Sequence, residues 1–552
     1  MKRIMILLLM FSFLAILSGC GDTTTSSDGT ISDDSVVVDT DYTVPTDDNT
    51  TSGVEEISTD SSGDLKIIGK ITYDRVHVND NGIGLNYNNI TVEPAKQVVV
   101  EAIDRDGKVL ASTTADDNGE YELTNLPSYT DVKVRAYAKL YKEGDGGWDV
   151  KVVDNTNDGA QYVIEGSFVS TENVSTRRDI HASSGWGGSG YTSTRAAAPF
   201  AILGSIYQAM EKVKGVDSSA TFPTLVINWS PNNVPSSNGT LEGLKEGLIG
   251  TSHFDGTELY ILGDANSDTD EYDDHVMIHE WAHYFEANFS RADSIGGPHT
   301  NGDILDIRVA FGEGWGNAWS AIATDNPIYF DTMGMYQANG FYMDIENQAT
   351  QNPGWFSEVS IQKILYDLYD SNDDGSDKLS LGFKPIYDVL TGPQKTTPAF
   401  TSIFTFTTYL KDEEASKVNE IDELMASENI ESIQDIYGST IAPSLYVNLD
   451  DIDYVCTYNR YGVGNKLYDH RYIKFDIGQD NDYIIRVEQN NGTDSDPDFT
   501  VYNTSPFTML GTSESTVRGV EENRFSLTSG NYLLDISDYN GIDVACFDVT
   551  IQ

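Results

Sequence analysis

One short segment has the residue types and spacing that metal chemistry needs, His279-Glu280-Trp281-Ala282-His283. Residues four apart lie on one face of an α-helix, so His279 and His283 can bind the same metal ion. Glu280 projects beside them, where its carboxylate can take a proton from a water molecule on that ion. The alternative is a helix with two packed or surface histidines.

A third candidate ligand lies downstream, at Glu313 in Phe311-Gly312-Glu313-Gly314-Trp315-Gly316-Asn317. The distance from His283 leaves room for a loop and a returning helix. Three glycines in this run lower its helix propensity, and a close approach of backbones around a metal would explain them. The alternative is a glycine-rich turn that exposes Glu313.

Neighbouring segments are predicted to position this site. Asp273 and Asp274 stand where an N-cap and a first-turn acid begin a helix. The strand predicted at 258–262 ends shortly before that helix, and as an edge strand it would align an extended peptide. The alternative is a plain core strand.

The N-terminus indicates export. Met1-Lys2-Arg3 is basic, and residues 4–17 form an apolar run too short to span a membrane comfortably. Leu17-Ser18-Gly19-Cys20 resembles a bacterial lipobox, which implies cleavage before Cys20 and lipidation of that cysteine. We therefore expect residues 1–20 to be a lipoprotein signal peptide. The mature chain would be exported and lipid-anchored to the bacterial membrane, in the periplasm or at the cell surface, and the alternative is an ordinary signal peptide.

The composition is strongly acidic, with 87 acidic and 34 basic residues and a formal net charge of −53. Such a surface repels nucleic acid and anionic lipid headgroups, which excludes nucleic acid as a partner, and it suits cations such as calcium. Every charged residue from 21 to 64 is acidic, so this segment is predicted to be a disordered acidic linker.

Short alternating strands separated by turn signals follow at 65–182 and again at 444–552, and both segments are predicted to be all-β sandwiches. The run 115–121 resembles the carboxypeptidase-regulatory-like sandwich, and 496–502 with 527–536 resembles the bacterial pre-peptidase C-terminal domain. Cys456 and Cys546 are expected to form a disulfide in an oxidising compartment, and the alternative is two buried thiols.

The chemistry lies between these sandwiches, in a predicted α+β unit at 183–443. There, 279–286, 291–298 and 312–315 together resemble a gluzincin, and most closely the fungalysin family of thermolysin-like peptidases, over about residues 275 to 323. The resemblance implies a zinc ion held by His279, His283 and Glu313, with Glu280 as the catalytic base. The metzincin ligand pattern does not fit, because Glu286 and Phe289 stand where that pattern needs Gly and His.

The sequence departs from the family at Asn317, where fungalysins have an Asp that supports a zinc histidine. An amide carries no charge, so His279 or His283 would be a weaker donor to zinc unless Asp303 or Asp306 substitutes. A further donor normally stabilises the oxyanion, and His299, Tyr342 and Tyr366 all stay open as candidates.

Calcium is a second cofactor that the acidic segments suit. Residues 370–375 begin like an EF-hand loop, but Leu381 stands at the twelfth position, so a partial site and a bare acidic turn both stay open. The other candidates form the loop before the predicted helix, namely Asp268, Asp270, Glu271, Asp273 and Asp274.

The sequence therefore predicts a multidomain chain with a central α+β zincin (gluzincin) domain flanked by two all-β sandwiches. Its expected function is that of a lipid-anchored zinc endopeptidase that hydrolyses peptide bonds in protein or peptide substrates with a zinc-activated water. The alternatives are a non-catalytic surface binding lipoprotein on a zincin-like scaffold and a zinc hydrolase of a non-peptide substrate.

Overall fold

The computed structural model describes residues 54–58, 65–79, 82–371, 378–490 and 492–552. The predicted signal peptide with Cys20, most of the predicted linker and most of the turn at 370–375 lie outside these residues. Residues 54–58 of the predicted linker instead form a strand, because their backbone pairs with Ser175–Arg178. No helix in the described ranges is long and apolar enough to cross a bilayer.

The described part of 54–182 is built from strands. They are β1 (Val54–Ser58), β2 (Leu65–Val78), β3 (Leu85–Pro94), β4 (Val98–Asp104), β5 (Val109–Thr114), β6 (Glu120–Leu126), β7 (Asp131–Lys142), β8 (Trp148–Asp154), β9 (Ala160–Gln161), β10 (Val163–Glu165), β11 (Val169–Ser170), β12 (Ser175–Arg178) and β13 (Ile180–Ala182). One sheet has the order β1-β12-β2-β13, with β3 and β6 also on β2.

The central segment carries the helices. Its elements are α1 (Ala198–Lys214), β14 (Leu225–Trp229), α2 (Leu241–Lys245), β15 (His253–Phe254), β16 (Leu259–Ile261), β17 (Gly263–Asp264), β18 (Asp268–Thr269), α3 (Asp274–Phe289), α4 (Ile307–Thr324), β19 (Ile328–Met333), β20 (Asn339–Asp344), α5 (Glu358–Tyr369), α6 (Phe383–Thr391), α7 (Ile403–Glu413) and α8 (Val418–Ser427). Short 3-10 turns occupy Met335–Gln337 and Gln394–Thr396.

The second sheet runs across the predicted domain boundary at 182/183. Its order is β15-β16-β14-β8-β7-β4-β5, with β9 on β8 and with β10 and β11 on β7. The crossing occurs where β14 pairs in parallel with β8, Leu225 opposite Val150. A single apolar core contains side chains from both segments, including Val134 and Val152 on one side and Phe200 and Ile227 on the other.

The C-terminal segment is a pair of stacked sheets. Its strands are β21 (Tyr446–Asn448), β22 (Val455–Tyr458), β23 (His470–Ile477), β24 (Asn481–Gln489), β25 (Pro497–Thr504), β26 (Phe507–Ser513), β27 (Val520–Leu527), β28 (Gly530–Asp538) and β29 (Val544–Ile551), with a 3-10 turn at Leu449–Asp451. The sheets have the orders β21-β23-β28-β25-β26 and β22-β29-β24-β27. Alternating apolar residues of both sheets form a core of their own, and a disulfide joins Cys456 to Cys546 across β22 and β29.

A buried charge network ties this segment to the start of α4. Asp306 is the N-cap of α4 and accepts a hydrogen bond from the Arg308 backbone. The Arg308 guanidinium pairs with Asp306 at 2.9 Å and with Asp535 of β28 at 2.8 Å. Tyr472 of β23 donates to the same Asp306 carboxylate at 2.6 Å. These groups are almost fully buried, so the helix that carries Glu313 is anchored in the C-terminal sandwich.

Candidate metal centre

Helix α3 carries three of the candidate residues, His279, Glu280 and His283. It starts at Asp274, but Asp273 makes no side-chain cap, which corrects the expected capping role. The Asp273 carboxylate instead accepts from the backbone and hydroxyl of Thr332, at 2.9 and 2.8 Å. Asp274 pairs with the buried Arg75 at 2.5 Å. The helix is thus fixed at its start by tertiary contacts.

The ligand atoms of His279, His283 and Glu313 form a small triangle. The Nε2 atoms of the two histidines are 3.2 Å apart. Glu313 Oε2 lies 3.3 Å from His279 Nε2 and 3.7 Å from His283 Nε2. Two ligands of a tetrahedral zinc ion at about 2.1 Å lie roughly 3.4 Å from each other, so the three separations suit one such ion.

Helix α4 brings Glu313 to this triangle because α4 packs closely against α3 and α5. Residues 307–323 of α4 are all buried. A Cβ on Gly316 would lie 2.7 Å from the His279 ring, and one on Gly314 would lie 2.6 Å from Ile361 of α5. Around them, the stacked Trp281 and Trp319 hold α3 against α4. Close helix packing therefore explains why glycine is needed at these two positions.

Asn317 stands behind His279. Its Oδ1 lies 2.9 Å from His279 Nδ1, and its amide nitrogen donates to Gln362 Oε1 at 3.0 Å. The contact with Gln362 orients the amide so that its oxygen faces the imidazole. Neither proposed substitute reaches the site, since Asp303 pairs with Lys466 and Asp306 with Arg308.

Glu280 faces the outer end of the sheet. Its Oε2 accepts a hydrogen bond from the Phe254 backbone N–H at 3.1 Å. Phe254 belongs to β15, which pairs with β16 and forms the edge of the sheet. The expectation that 258–262 is the edge strand is therefore wrong, because the short β15 folds back over it. Glu280 and both histidines keep 7–9% of their surface exposed, whereas Glu313 keeps 1%.

Of the three oxyanion candidates, the structure brings His299 closest to the ligands. His299 is buried, and its Nε2 lies 3.3 Å from Glu313 Oε2. Its Nδ1 lies 2.6 Å from Glu358 Oε2, at the first residue of α5. Tyr342 is more than half exposed on β20, and Tyr366 is buried within α5. Sequence reasoning missed Glu358, whose only signal is its place after the N-cap Ser357.

The electrostatics of the site come from buried opposite charges. Burial opposes charge on Glu313, yet His299 and His283 hold its pKa well below the ordinary value. Burial opposes charge on His283 as well, but the Glu313 carboxylate raises its pKa to about 9. Burial, with a smaller contribution from the nearby carboxylates Asp293 and Glu313, raises the pKa of Glu286, one turn further on α3, to about 8. Glu286 is therefore mostly protonated at neutral pH.

A second group of possible ligands lies before α3. Carboxylate oxygens of Asp268, Asp270 and Asp331 lie within 4.8 Å of one another. Asp331 comes from β19 and was missed, because nothing in its local sequence points to a loop some sixty positions earlier. Two residues of the predicted set are otherwise engaged, with Glu271 paired to Arg195 at 3.0 Å and Asp274 paired to Arg75.

Comparison with known proteins adds little to this geometry. A scan against protein-family models and a search of curated proteins give no match. Among solved structures, the chain is similar to a pre-peptidase C-terminal domain of collagenase from Bacillus anthracis, at 11% identity and a TM-score of 0.15, over 19% of this chain and 92% of that one. It is also similar to a Paenibacillus cycloisomaltooligosaccharide glucanotransferase, at 8% identity and a TM-score of 0.12, over 88% of this chain and 72% of that one. Likeness this low carries no functional argument, and what the chain shows is a multidomain fold rich in β-sheet.

Proposed function

We propose that this protein is a zinc-dependent peptidase with a gluzincin arrangement of ligands. One observation carries the proposal: three ligand atoms of His279, His283 and Glu313 lie 3.2–3.7 Å apart, and Glu280 adjoins His279 on the helix that carries both histidines. Two imidazoles and one carboxylate are a donor set of catalytic zinc sites.

The residues fit a metal ion by a second criterion. Glu313 Oε2 is buried and makes no hydrogen bond with any described residue. A buried polar atom without a partner is costly, and a cation in the triangle would satisfy it. When bound, zinc would polarise the substrate carbonyl and make water acidic enough to react at neutral pH.

The side chains around the triangle supply the remaining steps. Glu280 would accept the proton of the attacking water and pass it to the leaving amine. The backbone N–H of Phe254 holds the Glu280 carboxylate on the side of the edge strand. β15 is the last strand of its sheet. An edge strand beside the catalytic base is the kind of element that aligns an extended chain, and this supports a peptide as the substrate.

The proposal extends to the location that the N-terminal sequence predicts. Cleavage before Cys20 and its lipidation would leave the chain anchored to the bacterial membrane and facing protein substrates outside the cytoplasm. The bond between Cys456 and Cys546 suits an oxidising compartment of that kind. Release of a Cys20→Ser variant from the membrane fraction would be the corresponding result, and normal processing with retention in the membrane would contradict the anchor.

The decisive experiment measures zinc content and casein cleavage in the same samples. Glu280→Gln should keep zinc and lose about two to four powers of ten in rate, because only the base is removed. Glu313→Ala should lose both zinc and activity, since two protein ligands remain. Glu286→Gln is the matched control, and it should change little because its burial already favours the neutral acid.

Three results would contradict the proposal. A fully active Glu280→Gln variant would show that Glu280 is not the base. A Glu313→Ala variant that holds zinc like the wild type would show that Glu313 is not a ligand. A wild type that holds zinc but cleaves no peptide bond would favour the scaffold or the non-peptide hydrolase instead.

A further inference from the structure

His299 has an unusual position for a histidine so close to a ligand triangle. It lies in the loop between α3 and α4, and 3% of its surface is exposed. Its two ring nitrogens face two different carboxylates, Glu358 at 2.6 Å and Glu313 at 3.3 Å. An ionised carboxylate only accepts hydrogen bonds, so the ring can serve both neighbours only as a donor.

His299 does not complete the triangle as a fourth ligand. A tetrahedral site needs every pair of ligand atoms about 3.4 Å apart. Among the described residues, the group whose ligand atoms all lie within 4.8 Å of one another contains His279, His283 and Glu313 but not His299. The ring therefore approaches Glu313 from outside the triangle, and the open position stays free for substrate.

We propose that His299, held by Glu358, is the positioning residue for the Glu313 carboxylate. This inference rests on the proposed function, because it concerns how the zinc ligand is held. Neither His299 Nε2 nor Glu313 Oε2 makes a directed hydrogen bond with any described residue. Oε2 lies close to the nitrogens of three imidazoles, so that oxygen can face a metal ion on one side and the His299 N–H on the other.

The charges explain why such a residue is needed. Glu313 and Glu358 are both 1% exposed, and no Lys or Arg of the described residues forms an ion pair with either. Two buried carboxylates without a cation would repel each other and would be costly to desolvate. His299 lies between them and offsets that cost, which keeps Glu313 turned inward.

The loop that carries His299 is held from the C-terminal segment. The carbonyl of Pro298, the residue before it, accepts from Lys466 Nζ at 2.7 Å and from Asn465 Nδ2 at 3.3 Å. The Asn465 amide also donates to the carbonyl of Gly296 at 2.8 Å. His299 is therefore placed by contacts that do not involve the ligands, as a positioning residue must be.

The test is the zinc dissociation constant of the purified full chain, measured by chelator competition. His299→Phe keeps a buried ring without a donor and should raise the constant about 10–100-fold. Glu358→Gln keeps the ring but weakens its support, and a smaller increase is expected. His275→Phe is the control, because His275 has the same 3% exposure and contacts the Asn326 carbonyl instead. Its zinc constant should equal that of the wild type.

The visible spectrum of the cobalt-loaded protein gives a second readout. A displaced Glu313 carboxylate should change the cobalt bands in His299→Phe and leave them unchanged in His275→Phe. If the zinc constant and the cobalt bands of His299→Phe and Glu358→Gln match the wild type, the positioning role is overturned. The same holds if only kcat falls, since that result assigns the oxyanion to His299. A wild type that binds no zinc would overturn both this inference and the proposed function.

Discussion

Two carboxylate clusters close to α3 differ in how their buried charge is compensated. At one, Glu313 meets His279, His283 and His299, and its pKa is held well below the ordinary value. At the other, burial raises the pKa of Asp331 to about 8 and that of Asp268 to about 6, and it raises that of Asp270 as well. Among the described residues, no Lys, Arg or His contributes to the pKa of any of these three aspartates. In the first cluster, histidines compensate the carboxylate charge. The second cluster contains only carboxylates.

The two clusters also differ in the metal ion that their donor atoms favour. Imidazole nitrogens with one carboxylate favour zinc, whereas carboxylate oxygens alone favour calcium or magnesium. The calcium expectation therefore stays a prediction, with its residues changed to Asp268, Asp270 and Asp331. If no cation binds there, the buried acidic cluster destabilises the fold. Calcium binding and this destabilisation can both be measured.

Exchanging the donor type should have the largest effect. His283→Asp makes the ligand triangle richer in oxygen and places a second carboxylate beside Glu313. We expect zinc affinity to fall by more than the about 10–100-fold typical of losing a supporting contact, and proteolysis should fall with it. Calorimetric titration with zinc checks this, and a variant that binds zinc within threefold of the wild type would contradict the assigned ligand role.

Adding a side chain between α3 and α4 should have the second-largest effect. In Gly316→Ala the new Cβ would lie 2.7 Å from the His279 ring, so the histidine or the helix must shift. Zinc affinity and activity should drop clearly. Gly312→Ala is the matched control, because its Cβ would meet its nearest atoms at 3.6 Å. That change should stabilise the helix by about 0.5–1 kcal/mol, as read from thermal unfolding, and equal loss in both variants would refute the packing argument.

The acidic cluster should respond to pH in the opposite way to a salt bridge. A carboxyl whose pKa is raised on folding stabilises the fold below its unfolded pKa, near 4, and that stability is lost as the pH rises through about 6 and 8. In EDTA at pH 8, Asp331→Asn should therefore raise the apparent Tm, by roughly 2–4 °C for each kcal/mol gained.

The exposed Asp412 provides a control with the same change of charge. Asp412→Asn should leave the Tm nearly unchanged, because that residue is exposed. If calcium occupies the cluster, added CaCl2 should raise the Tm of the wild type and not that of Asp331→Asn. A Tm for Asp331→Asn equal to that of the wild type across pH 5–9 would contradict the charge argument.

Restoring a charge behind His279 should have the smallest effect. Asn317→Asp replaces the amide oxygen 2.9 Å from Nδ1 with a carboxylate, which makes the imidazole a better donor to a metal. The partner Gln362 can reorient its own amide to donate to the new carboxylate. We expect zinc affinity to be equal or a few-fold higher, and a tenfold loss would show that Asn317 has another purpose.

The sequence predicts the part of the site that depends on local spacing. His279, Glu280 and His283 share one helix, and Glu313 lies on the next helix, so periodicity and chain reach already bring them together. Asp331 and Glu358 belong to distant elements, and no local pattern links them to their partners. Asp273 shows a different limit of sequence-based prediction. Its residue type is typical of a helix cap, but its carboxylate accepts a hydrogen bond from Thr332 instead.

The fold divides in the same way. Alternating residues predict the strands at both ends of the chain. The parallel pairing of β14 with β8 joins two segments that differ in composition and are separated by a glycine-rich stretch. Sheet pairing of this kind depends on backbone groups, which the residue pattern does not distinguish.

The Arg308 anchor also sets an order in time. Its partner Asp535 lies 227 residues further along the chain, so it is synthesised long after α4. Before Asp535 is synthesised, Arg308 lacks one of its two carboxylate partners, and the start of α4 lacks its contacts with β23 and β28. A nascent or half-exported chain should therefore be unable to assemble the Glu313 side of the triangle. On the proposed function and location, this delay would leave the active site incomplete in the cytoplasm. A fragment ending at residue 443 that binds zinc as tightly as the full chain would contradict the argument.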